Sequence, residues 1–567
     1  MLAWAPSDTT VAELAEAGFS PGLMSAGLGT VPPEQTYLDV GQGNRVFSSL
    51  YDDPLPELKG DRAVWWRAVV ERAESAPADI VPGLLSSSLA AAGVPARLFD
   101  TRRSTLNRLS QEGRAGLVIA IARPTGETDA PLPIGIAGRG FDGNLTSGST
   151  RMDGYVLATD VAPTVLHWFG VETPSEMTGQ PIRAEGAVDA AAIESLGARM
   201  EVISSRRGTA VGLPIAAWLL LAALIALVSR GALARPVVRV LGLSVVYLPL
   251  LLLLGAALEP AEPVEALLVG LGAPALGALT LALLRGYRAL AVASALTVLA
   301  YAIDVIAGSP LTSLSLLGPN PGLGVRFYGI GNELEALLAV LTIAGVGAAL
   351  TGFVPRSSRR GAAIAFVAAG LLAAFVFAAG RFGADVGAAI VFPVGAAVAA
   401  VVIAGRGRRP VALAVIGAPI AVLALLALVD LVSGANAHLT RSVLDAGGLG
   451  DLADVAQRRL QLSARSFGRP VLLVFLPLVF GLAVLAYLRR DRLRAWLEGV
   501  PAMRAGLLGA LAATVIGTLA NDSGALILEI GTAYLLVFTG FAWAEKHRNR
   551  GKSSSADEKL QLRAPNV

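Results

Sequence analysis

Carboxylates, guanidinium groups, carboxamides and a histidine recur at the ends of long apolar stretches in the second half of this 567-residue chain. Arg326, Tyr328, Asn332, Glu333 and Glu335 stand where one such stretch begins, and Arg381 and Asp385, four residues apart and able to pair, separate two more. His438 and Arg441 follow another; Asn521, Asp522 and Ser523 open the last, with Glu529 two helical turns further on the same face and Asp304 near the end of an earlier stretch. A charged group inside a bilayer costs several kcal/mol unless it is paired or hydrated, so this gathering marks a candidate polar pocket. Guanidinium groups grip phosphate and pyrophosphate in bidentate fashion. Arg326, Arg381 and Arg441 are therefore candidate substrate-binding residues, with Tyr328, Asn332, Glu335, Asp385 and Asn521 beside them. Glu333, Asp522 or His438 would act as general base. Asn332 and Glu335, three apart, share a helix face from which Glu333 turns away. Plainer roles compete: Asn521, Asp522 and Ser523 as a helix cap, Arg381 and Asp385 as a structural pair, the glycines at 329–331 as close-packing points. The reading includes no metal site and no cofactor, and the absence of cysteine removes thiolate ligands and disulfides.

The elements that must position these groups are membrane helices. The chain is 54% hydrophobic and only 16% charged, with a mean hydropathy of +0.62; soluble chains carry about 25% charged residues. A span needs about 20 mostly apolar residues. Eleven runs qualify: 211–229, 237–258, 263–284, 287–307, 330–352, 361–379, 384–405, 411–432, 470–488, 504–520 and 522–543. The last two abut at Asn521 and Asp522, as a tight hairpin or one broken helix. Residues 1–205 read instead as a soluble domain, 206–545 as a polytopic bundle, and 546–567 as a polar, disordered tail. No basic stripe is interleaved with aromatics, so nucleic acid is not an expected partner.

Orientation follows the basic residues, which concentrate on the cytoplasmic side. Arg230, Arg235 and Arg239 follow the first run, Arg285 and Arg288 the third, and Arg356, Arg359 and Arg360 the fifth. Arg406, Arg408 and Arg409 follow the seventh, Arg489, Arg490, Arg492, Arg494 and Arg504 the ninth, and Lys546, Arg548, Arg550 and Lys552 the last. The long loop at 433–469 is also basic, but long loops obey the rule poorly. The C-terminus is then cytoplasmic, and both residues 1–205 and the polar groups face the outside. Export of such a domain calls for a leading signal or anchor, and residues 1–16 show neither; the expectation is a start further upstream.

The soluble half alternates β-rich runs, at 96–99 and 117–122, with helical patterns at 80–92 and 161–169, which argues for an α/β domain with helices on both faces. The run at 117–122 reads as a buried parallel strand. Three segments here are familiar: Asp160-Val161-Ala162-Pro163-Thr164-Val165-Leu166, then Gly170-Val171, then Met177-Thr178-Gly179-Gln180-Pro181-Ile182. Together they resemble the closing helix and turn of the alkaline phosphatase superfamily. Leu145-Thr146-Ser147-Gly148-Ser149-Thr150-Arg151, the turn Gly41-Gln42-Gly43-Asn44-Arg45, and Arg326-Phe327-Tyr328-Gly329-Ile330-Gly331-Asn332-Glu333 resemble runs of uncharacterised bacterial envelope proteins that join such a domain to a membrane bundle. Gly383-Ala384-Asp385-Val386-Gly387 and Asn521-Asp522-Ser523-Gly524 resemble further motifs of the same proteins.

The resemblance implies an N-terminally truncated alkaline phosphatase-like fold without its catalysis. Active members hold two metal ions on Asp and His ligands, beside a nucleophile that follows the first strand. Here that first strand is read as missing, and Ala122-Arg123-Pro124-Thr125-Gly126 stands where an Asp-His metal motif belongs. His167, the only histidine of the domain, is read as packed inside its helix. Asn44, Arg45, Thr150 and Arg151 are turn residues or contacts for an anionic partner. Three functions compete: a transferase or ligase acting on a lipid-linked envelope precursor, a flippase or transporter for an anionic lipid or polymer, and a non-catalytic scaffold binding an envelope protein. The expected setting is a bacterial plasma membrane, with its lipids as partners and a role in envelope biogenesis at the outer face.

Overall fold

The structure is a computed structural model and describes residues 1–56, 62–433, 463, 464, 466–468 and 470–561. The chain divides into two compact units: Met1–Ser205 with Pro319–Tyr328, and Arg206–Gly318 with Gly329–Val567.

The first unit is built on a six-stranded sheet. Its strands are β1 (Leu2–Ala5), β2 (Ser20–Ser25), β3 (Leu98–Asp100), β4 (Val118–Ala122), β5 (Leu132–Ala137) and β7 (Tyr155–Leu157), in the order β3-β1-β4-β5-β2-β7. β6 (Asn144–Ser147) and β8 (Ile182–Glu185) form a separate antiparallel pair. The alternation of side chains explains the apolar run at 117–122. Val118 and Ala120 face one core with Leu14, Leu106 and Leu109, while Ile119 and Ile121 face the other with Met24, Val156 and Val161. A strand covered on both sides can be apolar at every position. Helices Val11–Glu16 and Leu106–Gly113 cover the first face, Pro33–Gln42 and Val161–Trp168 the second.

Two expectations change. The sheet is mixed, because β4 runs parallel to β1 on one side and antiparallel to β5 on the other. A strand also stands at the start of the chain: Leu2, Ala3 and Trp4 pair with β3 as well as with β4. Composition hid it, because four residues before a proline and a polar turn are too few for a periodic signal.

The second unit is helical. Among the described residues, eight helices are long and apolar enough to cross a membrane: Ala190–Val228, Ala234–Leu258, Glu262–Leu283, Tyr287–Ile306, Asn332–Phe353, Arg359–Ala378, Pro501–Ala520 and Gly524–Lys546. They make the chain a multi-pass membrane protein. Of the other three runs, one is the shorter helix Ala388–Ile403, and the other two lie in helices Arg408–Ser433 and Pro470–Leu488. At the first of these, Ala384 takes a positive φ of 50° and Asp385 caps the helix from outside, so the helix starts later than hydropathy implies. The last two runs form a hairpin: Gly517 packs on Ile527 and Gly531 on Thr514. The first run is the end of one continuous 39-residue helix that begins at Ala190. Glycines let the central helices approach closely, and a Cβ at Gly506 would lie 3.2 Å from the Cα of Gly347.

One buried carboxyl in the sheet unit carries a pH dependence. Asp39 accepts from Gln35 Nε2 at 2.8 Å and Gln42 Nε2 at 3.0 Å, both on Oδ1. Burial pushes it up to about 7, although these bonds and the nearby charges of Arg45 and Arg72 pull it down. The folded state therefore prefers the protonated acid, whereas an unfolded Asp titrates near ~3.9. Its contribution to stability is complete below about pH 4 and is lost as pH rises through about 7. Asp39→Asn keeps the Oδ1 acceptor and never ionises. Hydrogen exchange of β1 and β4 amides in the intact chain should show the variant gaining on the wild type by up to about 4 kcal/mol between pH 4 and pH 8.

Candidate functional site

Three of the singled-out segments of the membrane unit, widely separated in sequence, meet. Asn521 follows helix Pro501–Ala520 and is buried. Its Nδ2 donates to Asn332 Oδ1 at 3.0 Å and to Glu335 Oε2 at 2.8 Å, so both amide hydrogens are used. Its Oδ1 accepts from the backbone N–H of Ser523 at 3.0 Å, which turns the chain into the last helix. Asn332 is the first residue of helix Asn332–Phe353, and its Nδ2 donates to Asp522 Oδ1 at 3.2 Å. Asp522 is exposed while Glu335 is fully buried.

The 383–388 segment closes the other side. Ile330 N–H donates to Gly383 O at 3.2 Å. Gly329 has a φ of +77°, and any Cβ there would collide with the Gly383 carbonyl oxygen. A Cβ at Gly387 would likewise run into the Glu335 carboxylate. These two positions require glycine, for conformation and for approach respectively. Asp385 Oδ1 accepts from Gly387 N–H at 2.8 Å and Ala388 N–H at 3.4 Å, at the first turn of helix Ala388–Ile403. Asp304, near the end of its own helix, accepts from the N–H groups of Leu311 at 3.1 Å and Thr312 at 2.7 Å and so shapes the following turn. Ser309 in that turn takes the Gly329 N–H at 2.9 Å.

The remaining candidates lie elsewhere. Glu333 does point away from Asn332 and Glu335, and meets Arg207 at 3.5 Å; Arg207 also donates to Gly318 O at 3.1 Å. Arg326 and Tyr328 belong to the sheet unit, where the guanidinium of Arg151 sits 4.1 Å from the Tyr328 ring centre. Arg381 packs its guanidinium over Phe382, 5.4 Å from the ring centre. His438 and Arg441 lie outside the described residues. The group brought together is thus Asn332, Glu335, Asn521 and Asp522, with Asp385 alongside through Gly387.

Sequence reading missed several members of this unit. Ser463 Oγ donates to Thr518 O at 2.6 Å, and Ala525 N–H donates to Ser466 Oγ at 3.1 Å, bracing both ends of the Asn521 turn. Arg206 donates to Glu265 at 3.1 Å and to Pro260 O at 2.8 Å, and Glu265 is fully buried. Two adjacent arginines before a span, with three glutamates spaced through a later loop, were the available signal.

In the sheet unit, the resembled segments converge on Asp160. Its carboxylate accepts from Ser147 Oγ at 2.7 Å, Ser149 Oγ at 2.6 Å, Leu157 N–H at 3.0 Å and Gln180 N–H at 2.9 Å. Burial still raises its pKa, opposed by those four bonds. Arg45 donates to Gly27 O at 3.0 Å and Gly324 O at 2.7 Å, and Asn44 donates to Asp79 O and Glu176 O. Thr150 donates to Tyr155 O at 2.5 Å. These residues serve the fold itself. His167 is exposed on its helix rather than packed, because Ala162 and Leu166 supply the buried face.

Compared with known proteins, the chain matches no family model, no curated protein and no solved structure. The class rests on the helices: a multi-pass membrane protein with a mixed-sheet unit in the same chain.

Asn521 is the hinge pin of the polar group. Asn521→Ala removes two donors and leaves the buried Glu335 short of one partner, at a cost of about 2–3 kcal/mol. The exposed Asp522→Asn should change stability by less than about 1 kcal/mol. Thermal unfolding of both variants in detergent, followed by near-UV dichroism, would display that difference.

Proposed function

We propose that this chain is a bacterial cell-envelope protein of about eleven spans, which handles a lipid-linked or anionic envelope precursor at the outer membrane face. The observation that carries the reading is the hydrogen-bonded junction of Asn332, Glu335, Asn521 and Asp522, made from segments that lie almost 200 residues apart, as the 189-residue separation of Asn521 and Asn332 records. Buried polar groups gathered within apolar helices are costly and mark function by default. Asp522 is the exposed carboxylate of the group and is the candidate general base, held through the Asn332 amide. Arg381 is the candidate phosphate ligand, four residues before Asp385 in the segment between two helices. Glu333, engaged by Arg207, fits better as a structural support than as the base.

The sheet unit, in this reading, is a non-catalytic relative of the alkaline phosphatase superfamily that binds an envelope partner. The Asp160 network supports the kinship, since it joins the very segments that carry the resemblance. The two-metal centre of active members does not fit the residues present: β4 runs into Arg123, which pairs with Asp100 where metal ligands would be required. Among the described residues, no group of three or more His, Asp or Glu side chains is arranged so that it could hold a metal ion.

The absence of cysteine makes sidedness directly testable. Asp522→Cys should react with a membrane-impermeant maleimide on intact cells, whereas Arg409→Cys should react only after permeabilisation; the reverse pattern defeats the reading. Asp522→Asn and Arg381→Ala, at normal protein levels, should each reduce envelope-precursor consumption about tenfold or more. Normal envelope in both variants would remove the pocket. Donor lipid accumulating outside on depletion identifies a transferase, and accumulation inside identifies a flippase.

A further inference from the structure

A second polar feature of the membrane unit lies apart from the Asn521 junction. Helices Pro470–Leu488 and Gly524–Gln561 leave a groove of about 280 Å³ between them. Phe475, Leu478, Leu482, Ile530 and Leu536 line it with hydrocarbon, and Glu529 adds a single carboxyl. Glu529 Oε1 is buried and has no hydrogen-bond partner among the described residues. Glu529 lies about 8 Å along the helix axis from Gly524, at a rise of about 1.5 Å per residue.

A buried carboxyl oxygen needs a donor. Water is poorly suited, because a trapped molecule needs two to four polar partners and the lining offers only Thr532 besides Glu529. The lining is almost all hydrocarbon, so a sugar or nucleotide would leave its hydroxyls or phosphates without partners. It suits one hydrocarbon chain. We propose that this groove is a binding site for a membrane lipid, in which the chain lies along Phe475, Leu478 and Leu482 while a hydroxyl or amide N–H of the lipid donates to Glu529 Oε1. The site rests on the helices being membrane helices and not on the envelope reading. Its ligand class is an amphiphile with a hydrogen-bond donor just below the headgroup.

The test uses the full-length chain in lipid nanodiscs and two photoactivatable probes. One is a diazirine-tailed monoacylglycerol, which carries hydroxyl donors; the other is the matching diazirine-tailed fatty-acid methyl ester, which carries none. After illumination, peptides spanning 475–482 and 530–536 should carry the glycerol probe at least tenfold more than the ester. Glu529→Leu should remove that preference, while Glu529→Gln, which keeps an acceptor oxygen, should retain it within about twofold. Asp522→Asn should leave it unchanged, which separates this site from the proposed envelope chemistry. Equal labelling by the two probes on the wild type, adducts confined to other helices, or an undiminished preference in Glu529→Leu would overturn the proposal. The comparison of probes on the wild type keeps the result decisive even where a variant fails to accumulate.

Discussion

The membrane unit depends on one carboxamide. Asn521 sits where two helices must reverse direction amid apolar side chains, and there the backbone and the Glu335 carboxylate both need partners. An asparagine side chain offers two donors and an acceptor that can take separate directions. Asn521 uses all of them, on Asn332, on Glu335 and on the Ser523 N–H. A hydroxyl at this position would supply one donor where two are used, and an aspartate would set a second negative charge beside Glu335. Partly satisfied buried networks are costly, and this is why the neighbouring glycines are also constrained. Gly387 makes room for the carboxylate, and Gly329 brings the chain against Gly383.

The sheet unit solves a similar problem in another way. Asp160 gathers two serine hydroxyls and two backbone N–H groups, so that one carboxylate organises three loops. Arg45 does the converse, supplying donors to carbonyl oxygens of Gly27 and Gly324. In both units the polar residues that look most chemical are largely committed to the chain itself. Among the described residues, Asp522 at the junction is exposed, and Glu529 Oε1 in the groove has no hydrogen-bond partner.

What the sequence made legible follows from the range of the signals. Hydropathy is a local property, so every one of the eleven apolar runs coincides with a helix, and β4 was evident from its unbroken apolar run. Where a local pattern was short, as in β1, it left no trace. Helix-face arithmetic placed Asn332 and Glu335 together and turned Glu333 away, and both relations hold. Spacing along the chain could not foresee that Arg326 and Tyr328 join the sheet unit, only a few residues before Asn332. Nor could it reveal the serines at 463 and 466 as braces, since a hydroxyl shows no periodicity and gains meaning only from the carbonyl or N–H it meets.

The split composition of the sheet unit bears on how the chain is made. Pro319–Tyr328 supplies the carbonyl that accepts from Tyr155 at 3.2 Å, the Gly324 carbonyl bound by Arg45, and the Phe327 ring beside Tyr155. Emerging from the ribosome, residues 1–205 precede this segment by roughly 120 residues, or about 6–25 s of synthesis at ~5–20 residues per second. Four apolar helices, ending at Ile306, must be threaded in that interval. Until that stretch has been made, Arg45 and Tyr155 lack the carbonyl oxygens of Gly324 and Pro321 that they bind in the finished unit.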